Sequence, residues 1–163
     1  MDVELIIEAE LQGAPSVEFA KVKKNFHVVG IKNSGRFADF GREVPHSARQ
    51  FMSRSNEIDQ RTETEIALYE PKRDDNHFVG EYYVGLIVKD ALIEVPEGME
   101  YMLASNDYAT ARGKISEVGS LHAKLAEWTV DQGYQRNLDS LIIETYHPME
   151  SDEEEVEIYL PVL

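Results

Sequence analysis

Two short segments far apart in the chain share a pattern. Ile66-Ala67-Leu68-Tyr69-Glu70-Pro71 and Ile143-Glu144-Thr145-Tyr146-His147-Pro148 carry Ile, Tyr and Pro at the same spacing. Each follows a stretch with helical periodicity and precedes a β-branched run. The order strand, helix, strand, strand therefore reads once from Phe26 to Val88 and again from Tyr108 to Val162, which points to internal duplication. Two such units can each bury one sheet face under a helix and join their sheets. The expected fold is α+β, an antiparallel sheet with pseudo-twofold symmetry in one domain, divided into an extension or edge strand over 1–18, a first module over 19–95 and a second over 96–163.

Along the chain, Phe26–Lys32 reads as a strand ending at Asn33-Ser34-Gly35, and Arg36–Glu43 as a loop holding Phe37 and Phe40. Val44-Pro45 opens a helix that runs to about Asp59, proline being tolerated in a first turn. Glu65–Glu70 and Tyr82–Val88 are strands on either side of a charged turn, and Met99–Ser105 and Tyr108–Arg112 are extended segments around Asn106-Asp107. Ile115, Val118, Leu121, Leu125 and Trp128 make the apolar stripe of a second helix, with Gly133 as its C-cap. Leu141–His147 and Val156–Val162 are the closing strands.

The strand Leu141–His147 carries a carboxylate in its middle. Alternation puts Ile142, Glu144 and Tyr146 on one face and Leu141, Ile143 and Thr145 on the other. A charge inside a β-branched run costs free energy unless that face meets water or a partner, so we expect a cleft with Glu144 at its floor. The repeat aligns Glu144 with Ala67, so the carboxylate is not a requirement of the module. Tyr69 and Tyr146 are equivalent in the repeat and are expected to flank the groove from opposite sides.

The 163 residues include no cysteine, which removes disulfides and thiol chemistry and makes a cytoplasmic location the simplest expectation. Acids at the N-terminus and a short apolar run do not fit a signal peptide, and no membrane association is expected. A net charge of −15 repels phosphate backbones, arguing against direct nucleic-acid binding; it speaks first to solubility and only second to steering of cationic ligands. No phosphate-loop, dinucleotide, nucleophile-elbow or zincin motif occurs, and the five histidines lack ligand spacing, so neither metal nor cofactor is expected. His27 and His122 read as packing residues. Asp152-Glu153-Glu154-Glu155 reads as a solvated turn without a chemical role.

Aromatic faces around a buried anion are how proteins hold lipophilic cations. The candidates here are Tyr69, Tyr83, Tyr108, Trp128 and Tyr146, with Gly85 leaving room beside Tyr83 on the same strand face.

Phe26-His27-Val28-Val29-Gly30-Ile31, Val44-Pro45, Tyr82-Tyr83-Val84-Gly85, Val95-Pro96-Glu97-Gly98, Tyr108-Ala109, Leu125-Ala126-Glu127-Trp128, Glu144-Thr145-Tyr146 and Val156–Pro161 occur in that order. This series resembles the GyrI-like, or gyrase-inhibitor-like, effector-binding family, similar also to effector domains of AraC-type and MerR-type regulators. The resemblance covers roughly residue 19 to the end. It implies a ligand groove between two strand-helix-strand-strand modules and a ligand-contacting glutamate on the penultimate strand, matched by Glu144. It also implies kinship with stand-alone members that hydrolyse strained electrophilic small molecules. No helix-turn-helix precedes the domain, so promoter control by this chain alone is not expected.

Three functions follow. The first is a binding protein that holds a lipophilic, cationic or polar small molecule between Tyr69, Tyr83, Tyr108, Trp128 and Tyr146 with Glu144 as counter-charge. Desolvation is then expected to raise the free carboxyl's pKa. The second is a hydrolase in which Glu144 is general base and a tyrosine hydroxyl, Tyr146, orients the electrophile. The third is an inhibitor that binds a larger protein partner through its acidic surface. Without a ligand role, Glu144 would be an edge-exposed or a salt-bridged carboxylate, with Arg112 or Lys114 as candidate partners. The oligomeric state is left open.

Overall fold

A computed structural model describes residues 17–149 and 153–163. Strand-forming and helix-forming segments alternate as β1 (Phe19–Arg36), α1 (Phe40–Met52), β2 (Arg61–Tyr69), β3 (Val79–Val88), β4 (Glu100–Lys114), α2 (Val118–Asp131), β5 (Ile142–Pro148) and β6 (Glu154–Val162). Single 3-10 turns, Phe37–Asp39 and Ile115–Glu117, lead into the two helices. The fold is α+β, with six antiparallel strands and two helices. The strands close into a barrel in the order β1-β3-β2-β5-β6-β4. The expected edge strand within 1–18 falls largely outside the described residues. Among the described residues no helix is long and apolar enough to cross a membrane.

The pleat of each strand divides its residues between two cores. Phe26, Val28, Ile66, Leu68, Tyr108, Ile143 and Tyr159 pack together on the side away from the helices and fill the barrel interior. On the outer side α1 packs Phe51 against Val29, Tyr82, Val84 and Leu86, and α2 packs Leu121 and Leu125 against Ala109, Ile158 and Leu160. The helices therefore cover separate parts of the barrel's outer face.

β1 is longer than its composition indicates because it belongs to two pairings, with β3 from Val28 to Arg36 and with β4 from Phe19 to Gly30. Tertiary pairing carries it through Asn33-Ser34-Gly35, where a turn was expected. In the same way β4 runs straight through Asn106-Asp107, which pair with Lys24 and Lys23. Helix α1 starts at Phe40, not Val44, so Arg36–Glu43 is not a loop. Phe37 and Phe40 extend the apolar spacing of Val44, Ala48 and Phe51 backwards, and burying them favours helix despite the interior Pro45. Gly133, at φ +80, ends α2 as expected, donating its N–H to the Val130 carbonyl at 2.9 Å.

Gly85 lines the cavity between barrel and helices but Tyr83 does not, and the missing side chain of Gly85 serves strand packing. Gly85 pairs with Gly30 of β1, and a Cβ on Gly85 would lie 2.9 Å from the Gly30 Cα and closer still to the Val29 carbonyl oxygen. Its hydrogen is what lets two curved strands approach. Gly85→Ala should destabilise the fold by about 1–3 kcal/mol, read as a lower urea midpoint with the slope unchanged.

Candidate functional site

Antiparallel pairing of β2 with β5 places Ala67 opposite Glu144, Tyr69 opposite Ile142 and Glu65 opposite Tyr146. Alternate residues of both strands face the helices, and between helices and strands lies a cavity of about 770 Å³. Phe40, Val44 and Ala48 of α1, Ile115 just before α2 and Val118 at its start form its walls, with Ala67, Val84, Ile142 and Glu144 beneath. The lining is mostly apolar, with Glu144 and its neighbours at its floor and Arg49, Glu65, Glu70, Lys72 and Glu154 as further charged groups, a mix that suits a small-molecule site.

Glu144 is held by three donors. The Tyr146 hydroxyl, two residues along the same strand face, donates to Oε1 at 2.7 Å. The Tyr69 hydroxyl reaches diagonally from β2 to Oε2 at 2.9 Å, a cross-strand distance that a tyrosine spans. His122 Nε2, from α2, lies 2.6 Å from the same Oε2 and 3.0 Å from the Tyr69 hydroxyl. An ionised carboxylate only accepts, so the imidazole nitrogen facing it carries the proton. The Glu144 side chain is 14% exposed.

Burial acts most strongly on Glu144 and pushes its pKa up. The hydrogen bonds and charge of His122, with those of Tyr146 and Tyr69, together outweigh burial and hold the carboxyl below its ordinary range. The expected upward shift is thus reversed, because the free site already supplies donors. Burial first, then the adjacent carboxylate, push the Tyr69 and Tyr146 phenols well above their usual value, so both remain neutral donors.

The structure brings Glu144, Tyr146 and Tyr69 together and separates the other expected aromatics from them. Tyr83 lies on the opposite face of β3 from Val84 and packs against the barrel's inner cluster. Tyr108 is fully buried there, edge-on to Phe26 and Tyr159. Trp128 stacks on Phe19 with ring centroids 5.6 Å apart, next to Tyr134. None of the three is among the residues that line the cavity. Nor do Arg112 and Lys114 pair with Glu144: Arg112 bonds Glu155 at 2.9 Å, and Lys114 faces Glu153 at 3.7 Å.

His122 corrects the reading of it as a packing residue. The second-helix stripe has Val118 and Leu125 on either side of it at four-residue and three-residue steps, which puts its side chain near the sheet. That spacing was the available signal. Phe37 and Phe40 were visible as aromatics in need of burial, and both line the cavity. His27, the other histidine read as packing, hydrogen-bonds Tyr101 at 2.6 Å.

A family model described as the GyrI-like small-molecule-binding domain matches residues 17–163. The chain belongs to the GyrI-like family. Among solved structures this GyrI-like domain is similar to SAV2435 bound to tetraphenylphosphonium, at 12% identity and TM-score 0.67, covering 90% of this chain and 94% of that one. It is also similar to the EcmrR C-terminal domain at 16% identity and TM-score 0.61, covering 91% and 97%. In the EcmrR–DNA complex, at 15% identity and TM-score 0.65, the match takes in 98% of this domain but 62% of the EcmrR chain. A third neighbour, described as a hydrolase from Listeria innocua, matches at 12% identity and TM-score 0.55 over 96% and 97%. These likenesses concern the fold. No curated protein matches the sequence.

The lowered pKa of Glu144 has a sign that can be checked. Its contribution to stability is fully present above the unfolded value of 4.5 and is lost as pH falls through the lower folded value. The unfolding free energy of the native protein should therefore exceed that of Glu144→Gln above pH 4.5 and converge toward it in more acidic solution, measured by urea unfolding across pH.

Proposed function

We propose that the cavity binds a lipophilic monocation, with Glu144 as its counter-charge and the helix-borne apolar side chains as its walls. The observation that carries this reading is a buried carboxylate, held below its ordinary pKa, among the mostly apolar walls of a cavity of about 770 Å³. Aromatic edges and faces at Phe37, Phe40, Tyr69 and Tyr146 surround it. The net charge of −15 adds a field that draws cations toward the molecule. The tetraphenylphosphonium bound in SAV2435, a protein of similar fold, has this chemistry.

The pseudo-twofold duplication gives the site its polarity. On this reading the axis passes between Ala67 and Glu144, which face each other across β2 and β5. Gly35 and Gly41 correspond to Gly113 and Gly119 at equal spacing, and the same spacing sets Val44 against His122. One module thus contributes an apolar half-site, Ala67 and Val44. The other replaces both with ionisable groups.

A hydrolase would use the same pair, and the 2.6 Å contact between His122 and Glu144 favours considering it. A general base works best with a pKa near the working pH, whereas this carboxyl is held below the ordinary range. Binding is the better account of these groups.

Glu144→Gln should weaken tetraphenylphosphonium binding by about two orders of magnitude, because a desolvated ion pair loses one partner, while the neutral triphenylphosphine oxide loses little. Equal losses in isothermal titration would remove the charge-pairing idea. A second variant tests location. A Cβ added at Gly119 meets nothing within 4 Å, and Gly119 lines the cavity. Gly119→Leu should keep or raise the melting temperature, since glycine is a poor helix residue, and should still reduce binding of both probes.

A further inference from the structure

His122 differs from the other two donors on Glu144 in one respect: it can acquire a positive charge. The tyrosines are locked as neutral phenols, whereas imidazoles as a class change charge between about pH 5 and 8. Its Nε2 is 2.6 Å from Glu144 Oε2, the oxygen it shares with Tyr69, and its side chain is 28% exposed on the cavity side. A protonated imidazole at this distance supplies what a cationic ligand would supply, a positive charge against the carboxylate. Two cations within a few ångströms of one carboxylate repel each other, and the cavity's low polarity strengthens that repulsion.

We propose that His122 sets the charge of the ligand the cavity accepts. Its imidazolium occupies Glu144 as an internal cation, and a cationic ligand binds by displacing one proton from His122 to solvent. In acidic solution the Glu144–His122 pair is then neutral and the cavity favours uncharged ligands. In alkaline solution the carboxylate stands against two phenols and a neutral imidazole, and the cavity favours cations. The inference rests on the cation-binding reading above.

Other ionisable groups around the cavity are Arg49 of α1, Glu65 of β2, Glu70 and Lys72 just beyond it, and Glu154 of β6. Glu70 is tied to Arg73 at 2.7 Å and to the Glu81 N–H at 2.7 Å. Arg136 lies near enough to Tyr69 to affect its phenol. Arginine and lysine keep their charge across this pH range. Glu65, pushed up by burial and then by Glu154, is the carboxyl that could imitate a histidine, and His77 stands 3.8 Å from Glu70. Among these residues His122 is the one that touches the carboxylate.

The test is calorimetric titration with tetraphenylphosphonium and triphenylphosphine oxide between pH 5.5 and 8.5, in buffers of different ionisation enthalpy. Native protein should bind the phosphonium at least about tenfold more tightly at pH 8.5 than at pH 5.5, with proton release on binding in the acidic range. The neutral oxide should show no such gain. His122→Gln, which retains an N–H donor, and His122→Val, which copies Val44, should both abolish the proton release and flatten the profile. Glu65→Gln should leave the slope in place. Phosphonium binding that is independent of pH, or a slope that survives in both His122 variants or vanishes in Glu65→Gln, would overturn the role of His122 while leaving the cavity as a cation site. No phosphonium binding by any of the proteins at any pH would overturn both.

Discussion

The buried carboxylate of Glu144 organises the middle of this molecule. A carboxylate removed from water costs several kcal/mol unless its oxygens are satisfied, and here both are, by groups from three separate elements: Tyr146 on its own strand, Tyr69 on β2 and His122 on α2. Among the described residues no lysine or arginine forms an ion pair with it. The arrangement keeps the negative charge in place through neutral donors and one imidazole, rather than cancelling it permanently.

The barrel determines where that ligand space can be. Closing six strands produces an interior just wide enough for side chains, and Phe26, Leu68, Tyr108, Ile143 and Tyr159 fill it. Any substantial cavity must then form outside, between the barrel wall and the two helices. Gly41 and Gly119 keep it open on the helix side, since a Cβ at either would meet nothing within 4 Å. The Gly30–Gly85 pair performs a different service, allowing β1 and β3 to approach as the wall curves. Small residues thus create space in one place and remove it in another.

The repeat and the strand alternation carried much of the site. The shared Ile, Tyr and Pro spacing placed Ala67 and Glu144 in equivalent positions, and the structure pairs them directly. The alternation of Ile142, Glu144 and Tyr146 against Ile143 and Thr145 is also as the residues indicate, with Ile143 in the barrel interior and the other three on the cavity. The aromatic set was less legible. Tyr83 and Tyr108 have the same composition and strand context as Tyr69, yet pleat parity turns them to the inner face, and parity cannot be counted across strands until their register is known. Trp128, expected among the aromatics around the ligand, stacks on Phe19 instead. His122 was hidden by its apolar neighbours, which suit a packing histidine equally well.

By itself the sequence determined the α+β class, the doubled order of elements and the strand that bears the carboxylate, because periodicity and β-branched runs are local properties that need no knowledge of distant contacts. It also restricted the candidates to a cation-attracting, cysteine-free chain through its charge and composition. Tertiary structure alone decided the long β1, drawn out by pairing with both β3 and β4, and the early start of α1, where half-buried Phe37 and Phe40 outweigh a proline signal. It alone decided the ionisation of Glu144 as well. That depends on three donors, the farthest of them 75 residues from Glu144 in sequence, and only the closed barrel with its two covering helices brings them to one pair of oxygens.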